Sequence, residues 1–370
     1  MTLPTPSSDA IALSNQLLSQ IIAEIKMHGS ISFARYMELA LYAPQLGYYQ
    51  NGYQKFGKEG DFVTSPEISA LFSYCLANQC ADILADLKGG DIIEFGAGSG
   101  VMAADILGHL QKIKQLPNHY FILELSATLQ SQQYETLSKK VPELLDRVVW
   151  LSELPKIPIK GIILANEVLD AMPVNLFTIQ NGIKDLCVTC DGNNALMFIP
   201  RSAAYTLPKD CVFPEGYTSE INLFLPGWIK SISDCLVEGA AIIIDYGFLE
   251  HEYYHPDRSM GTLMCHYRHR SHGDPFFYPG LQDITAHVDF TAVAENAEKN
   301  GFSVRFMNQA RFLLENNLLS CLQEDADEKD EKTRFQENQQ IRKLTSPNEM
   351  GELFKAMLLE KKREQIKHDK

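Results

Sequence analysis

Apolar positions follow two periods along this chain, and the change from one to the other divides it. Residues 8–29 carry Leu17, Leu18, Ile21, Ile22 and Ile25 at helical spacing, with Ser8 or Asp9 placed to cap and Gly29 to end the helix. Residues 1–88 read as a mostly helical lead-in, interrupted by the aromatic and glycine-rich GYYQNGYQKFGKEGDF. From residue 89 short apolar runs alternate with helical patterns, which predicts a doubly wound α/β core with a parallel sheet. The predicted strands are 91–95, 119–125, 147–151, 161–165 and 240–245. Between the last two, VNLFTIQNGIKDLCVTCDGNNALMFI holds three short runs punctuated by Asn-Gly and Asp-Gly, so 172–216 reads as a small antiparallel β-hairpin insertion. A helix is expected over 219–238, another over 291–300, and a strand from 301. The core is thus taken as 89–320. Residues 321–370 are expected to be a charged linker (EDADEKDEK) and a helical tail, with Leu353, Phe354, Met357 and Leu358 on one face.

Composition narrows the class. Apolar residues make up 45% of 370, enough for a substantial core. Lys and Arg total 33 against 47 Asp and Glu, a net charge of −14, which argues against nucleic acid as a partner and favours a basic protein segment. No apolar run reaches the length of a membrane helix, so membrane insertion is not expected. The first basic residue is Lys26, unlike a signal or transit peptide, and the eight cysteines are scattered; a cytoplasmic location follows as the expectation.

The chemistry concentrates in DIIEFGAGSG, residues 91–100. A buried strand runs into Gly96, Gly98 and Gly100, whose lack of side chains permits a tight turn and close approach of a ligand. The helix pattern from Val101 then brings a helix N-terminus to that ligand. Glu-x-Gly-x-Gly-x-Gly favours S-adenosylmethionine (SAM), although Gly98-x-Gly100-x-x-Ala103 also satisfies the loose dinucleotide fingerprint of NAD and FAD enzymes. Glu124, ending the next strand, can accept hydrogen bonds from ribose hydroxyls of either cofactor.

Acids gather where later strands end. Glu167 and Asp170 follow the fourth strand and Asp245 ends the fifth, at the sheet edge where open α/β proteins place reactive groups. A carboxylate pair suits a guanidinium acceptor. His251-Glu252-Tyr253-Tyr254-His255 imitates a zinc-protease motif, but Pro256 pushes His255 out of helical geometry, and no metal is expected there. His266, His269 and His272 read as a polar substrate loop.

Assembled, these segments resemble the MidA-like family of SAM-dependent methyltransferases. The shared motifs are LYAPQLGYY (41–49), GDFVTSPEIS (60–69), EFGAGSG (94–100), NEVLDAMPV (166–174), IDYG (244–247), GTLMCHYRHR (261–270), PGLQDITAHVDF (279–290) and LTSPNEMGELFK (344–355). The resemblance implies a seven-stranded, Rossmann-like class I methyltransferase core, with the lead-in covering the cofactor site. It also implies methylation of a protein arginine. In mitochondrial members the target is an NADH dehydrogenase subunit, which makes a respiratory-complex subunit the partner that the resemblance implies, although this chain looks bacterial. The implied cofactor set is Glu94 at the amino end of SAM, Gly96, Gly98 and Gly100 along its methionine part, Glu124 at the ribose, and Asn166. Asp61, Thr64, Ser65 and Glu67 would close the site. The implied catalytic set is Glu167 and Asp170 gripping the acceptor, then Asp245, His266 and His287. A nucleotide-dependent oxidoreductase and a non-catalytic assembly chaperone of the same fold are the alternatives.

Overall fold

The computed structural model describes residues 3–52, 64–323 and 330–362. They form two compact units, each discontinuous in sequence: 3–52, 169–225 and 247–292 make one, and 64–168, 226–246, 293–323 and 330–362 the other. The break therefore falls ahead of residue 64 rather than at the expected 88, because the helices before the first main strand pack with the sheet.

The first unit opens with helices α1 (Ser8–His28) and α2 (Phe33–Tyr42). The α1 cap is Ser7, one residue earlier than expected, its hydroxyl accepting from the Ala10 amide. Leu17, Ile21 and Ile25 of α1 and Phe33, Tyr36, Met37 and Leu41 of α2 share a core with Leu176, Val188 and Ile284. The insertion is a four-stranded antiparallel sheet, ordered Leu196–Ser202, Ile183–Cys190, Asn175–Ile179, Thr218–Ile221. It thus extends past 216, and the helix expected over 219–238 starts only at Leu225 and ends at Cys235. The reason is local. Glu220 is buried and accepts from the Thr262 and Leu263 amides, which holds 218–221 in a strand, and the Asn222 side chain accepts from the Phe224 and Leu225 amides to start the helix afresh. A smaller sheet joins Met264–Tyr267 to Arg270–His272 and Asp283–Thr285.

The second unit is built on the main sheet. Its helices include α3 (Ser65–Ile68), α4 (Ala70–Leu87), α5 (Val101–Lys112) and α6 (Ala127–Lys140). Its strands are β1 (Asp91–Phe95), β2 (Tyr120–Leu123), β3 (Val148–Leu151), β4 (Ile159–Asn166), β5 (Leu236–Phe248), β6 (Ser303–Asn308) and β7 (Phe354–Lys361). They lie in the order β6-β7-β5-β4-β1-β2-β3. Pairings from β3 across to β5 are parallel, whereas β7 runs antiparallel to both β5 and β6. The antiparallel β7 makes the sheet mixed, and a two-residue strand, Val288–Asp289, pairs in parallel with Gly247 and Phe248 at the end of β5 as an eighth strand where seven were expected. β1 continues to β2 on one side and has β4 on the other, which opens a crevice at the carboxyl ends of β1 and β4.

The C-terminal segment corrects the expectation of a helical tail. Glu331–Thr345 and Met350–Leu353 are helical, but the residues expected to form the apolar helical face pass into a strand, β7. Ala356, Met357, Leu358 and Leu359 are all 0% exposed, because β7 lies between two strands with both faces covered. A strand buried on both faces shows no two-residue alternation, so its apolar run looks like a buried helix in the sequence. Among the described residues, no helix is long and apolar enough to cross a membrane.

Candidate functional site

After Phe95 the chain turns sharply, with Gly96, Gly98 and Gly100 all in the left-handed region at φ +60°, +52° and +80°. L side chains are disfavoured there, which explains glycine at alternate positions. Gly100 carries a second constraint: a Cβ on it would sit 2.9 Å from the Gln133 Cα, so the turn abuts α6. The turn ends in the first turn of α5, where the Val101 amide donates to the Ser99 hydroxyl and the helix N-terminus favours an anionic or polar ligand.

Two acids flank the turn. Glu124, immediately after β2, is 8% exposed. Its Oε1 accepts from the Ser126 amide at 2.8 Å and its Oε2 from Gln133 Nε2 at 3.1 Å. Burial raises its pKa while those donors oppose the rise. Glu94, on β1, is 1% exposed, and its Oε2 accepts from the Tyr120 hydroxyl at 2.6 Å. Burial pushes Glu94 up to about 7, with the Tyr120 bond opposing and the charge of Glu124 adding to the rise. The structure thus sets Glu94 in the core beside Tyr120.

Asn166 and Glu167 end β4. Glu167 has φ +52°, an uncommon backbone for a non-glycine residue that is enriched at functional sites. Its amide donates to the Ile244 carbonyl at 2.8 Å, and its Oε1 accepts from Asn166 Nδ2 and from the Ser65 amide, both at 3.3 Å. The neighbouring Val168 reaches the turn: its Cγ2 lies 3.9 Å from where a Gly96 Cβ would be. Oδ1 of Asn166 is buried and has no hydrogen-bond partner among the described residues. Such an atom needs a donor, and a bound polar ligand can supply it.

α3 ties these pieces together. Glu67 Oε1 accepts from the Ser99 hydroxyl of the turn, while the Ser65 amide meets Glu167. The helix begins at Ser65, with Thr64 at the cap, and the Ser65 hydroxyl bonds Gln309. Asp245, on β5, is 0% exposed and its Oδ1 accepts from the Tyr246 amide. Thus Thr64, Ser65, Glu67, Glu94, the glycines, Glu124, Asn166, Glu167 and Asp245 all belong to the sheet unit. Asp61 lies outside the described residues.

The remaining candidates belong to the other unit. Asp170 is 6% exposed and its carbonyl accepts from the Ala286 amide. His266 lies on the strand Met264–Tyr267, opposite Asp283. The His287 amide donates to Thr262 Oγ1, and its ring packs edge-on against Phe248. Burial, then the positive charge of Arg258, depress its imidazole to about 4, so it is neutral at physiological pH. His251 lies in the helix Glu250–Tyr253 and His255 beyond its end, so the two histidines do not share a helical face.

Sequence reasoning passed over three groups. Tyr49 donates to Asp283 Oδ1 at 2.9 Å and stacks on Tyr42; both tyrosines sit in LYAPQLGYY, a motif with no residue role attached, and Asp283 in PGLQDITAHVDF, where only His287 carries one. The third is Gln133. On a helix as polar as α6 it looks like a solvated residue, and only its three-residue spacing from Gln130 and Thr136 marks a common face.

Left-handed glycines, a helix N-terminus, a buried carboxylate and an orphaned amide oxygen fit a cofactor that carries an amino acid part and a ribose. Comparison with known proteins agrees. Residues 75–307 match the family described as "Putative S-adenosyl-L-methionine-dependent methyltransferase". The mitochondrial protein arginine methyltransferase NDUFAF7 of Bos taurus is 30% identical over 384 residues, spanning 93% of this chain and 83% of that protein. Its counterpart in Danio rerio is 28% identical over 382 residues, spanning 94% and 87%. A crystal structure of a COG1565 superfamily member from Burkholderia thailandensis, bound to S-adenosyl-homocysteine, is 42% identical and superposes with a TM-score of 0.93, over 98% of this chain and 96% of that one. The chain therefore belongs to the MidA-like family of S-adenosylmethionine-dependent methyltransferases, with S-adenosylmethionine as its cofactor.

Proposed function

We propose that this methyltransferase modifies arginine side chains of a protein. The observation that carries the reading is Glu167, a carboxylate held in a left-handed backbone at the carboxyl end of β4 and next to a residue that reaches the glycine turn. The relatives named protein arginine methyltransferases support the acceptor. So does the net charge of −14, which complements a basic segment.

SAM, when bound, supplies a methyl group on a cationic sulfur. Gly96, Gly98 and Gly100 would pass along its methionine part and Glu124 would accept its ribose hydroxyls. Asn166 Oδ1 would receive a donor, and Glu94 would act at the amino end. Thr64, Ser65 and Glu67 would exclude water from the turn. Glu167 would grip two guanidinium nitrogens in a fork, fixing the third and drawing positive charge away from it. The catalytic power required of the protein is then mainly orientation and exclusion of water.

Asp170 is proposed as a further anionic contact for the acceptor, able to take the proton that a methylated guanidinium sheds, and His287 as an uncharged contact. Asp245 and His266 are proposed to support them. A subunit of a respiratory NADH dehydrogenase is the proposed protein class. A cytoplasmic location is proposed on the scattered placement of the eight cysteines along the sequence.

The test is to incubate the protein with methyl-labelled SAM and an extract of cells lacking it, then to hydrolyse the products and separate the amino acids. Label in methylarginine is expected. Label confined to another residue, or to small molecules, would refute arginine as the acceptor.

A further inference from the structure

Helix α6 carries Gln130, Gln133 and Thr136 at three-residue spacing, which puts them on one face. All three bond to the parts of the chain assigned to the cofactor. Gln130 Nε2 donates to the Glu124 carbonyl at 2.7 Å, and Thr136 Oγ1 donates to the Ser99 carbonyl at 2.7 Å. Gln133, between them, is 0% exposed. Its Nε2 donates both to Glu124 Oε2 and to the Gly98 carbonyl, each at 3.1 Å, and its Oε1 accepts from Trp150 Nε1 of β3 at 2.9 Å.

The chemistry allows one orientation of that amide. A carboxylate and a carbonyl are acceptors only, and an indole N–H is a donor only, so the NH2 must face Glu124 and Gly98. Burying a glutamine costs side-chain entropy and desolvation unless its bonds are made. Here both protons and the oxygen are used, and the three partners come from β3, the glycine turn and the end of β2. The Gln133 Cα also limits the space beside Gly100.

We infer that Gln133 is a positioning residue that aims the Glu124 carboxylate at the ribose hydroxyls of SAM and locks it to the glycine turn. The inference rests on the proposed ribose role of Glu124. A neutral donor suits the task. It fixes Oε2 without cancelling the negative charge that the ribose hydroxyls need, whereas a lysine or arginine would compete for it. The groups around Glu124 are Glu94 on β1, whose carboxyl feels its charge, and the uncharged Ser126, Gln130, Gln133 and Trp150.

The test measures the affinity of the intact protein for S-adenosyl-homocysteine by calorimetry between pH 5.5 and 8.5. The wild type should bind more weakly as pH falls, because Glu124 must be ionised and burial raises its pKa. Gln133→Leu should weaken binding about tenfold at pH 7.5, the loss of one hydrogen bond to a charged group. Gln133→Glu keeps the shape and, at the low end of the pH range, a protonated carboxyl that can still donate to Glu124. It sets a second carboxyl against Glu124, so its affinity should fall as pH rises, the reverse of the wild-type profile. A purely structural glutamine would not invert the profile. Glu124→Gln separates the two claims. If it weakens binding while both Gln133 variants bind like wild type across the pH range, the inference on Gln133 is overturned. If Glu124→Gln itself binds normally, the ribose reading fails and takes the inference with it.

Discussion

Gly100→Ala perturbs the point where the cofactor turn meets α6, and its cost can be worked from two terms. The residue sits at φ +80°, and placing an L side chain in a left-handed backbone costs about 1–2 kcal/mol. The added methyl would also lie 2.9 Å from the Gln133 Cα, a backbone atom of a helix, where ordinary contact begins near 3.4 Å. Moving the turn or the helix by about half an ångström to relieve this is an overpacking cost of about 1–3 kcal/mol. A total of about 2–5 kcal/mol in a unit of roughly 200 residues lowers Tm by about 4–20 °C. Gly96→Ala is the matched control. Its φ is also positive, but its nearest neighbour would be Val168 Cγ2 at 3.9 Å, so it should lose only about 1 kcal/mol. Thermal melts of both variants, with and without S-adenosyl-homocysteine, make the comparison. Equal losses in the two, or an unchanged Tm in Gly100→Ala, would refute the packing of the turn against α6.

Two further perturbations test the core that supports the site. Glu94 has its folded pKa raised to about 7 by burial, so the folded state holds a proton that the unfolded state releases near 4.5. Its contribution is therefore favourable below the unfolded value and is lost as pH rises through the folded one, by about 3 kcal/mol. Glu94→Gln retains an acceptor for Tyr120 and should be more stable than wild type at pH 8 but not at pH 4.5; parallel melting curves at both would contradict the burial argument. Leu359→Ala should cost about 2–5 kcal/mol, as much as Leu358→Ala, because both faces of β7 are buried. A helical tail burying only Leu353, Phe354, Met357 and Leu358 would instead leave Leu359→Ala nearly neutral in a denaturant titration.

What could be read in advance was whatever punctuates the chain. Glycines at 96, 98 and 100 have a local cause, the sign of φ, and so the turn, its flanking strand β1 and the helix after it were legible. Glu167 and Asp170 were legible as acids at a strand end, but the left-handed backbone of Glu167 was not, since it is imposed by the bonds of its amide to Ile244 and its carboxylate to Ser65. β7 was misread because Ala356 to Leu359 are buried on both faces and its pairing partners, β5 and β6, are distant in sequence. Glu220 belongs to the same class: an acid in a helix-like pattern, held in a strand by the amides of residues 262 and 263. Gln133 failed differently. A glutamine on a polar helix is ordinarily solvated, and its burial depends on tertiary partners at 98, 124 and 150.

The measurement that bears most directly on arginine methylation compares wild type with Glu167→Gln, scoring S-adenosyl-homocysteine affinity and methylarginine formation side by side. The variant keeps an acceptor for the Ser65 amide and loses only the charge. Affinity within about twofold of wild type with no methylarginine formed is the predicted result. Methylarginine formed at the wild-type rate would remove the Glu167 carboxylate from the reaction, and lost affinity would assign it to the cofactor instead of the acceptor.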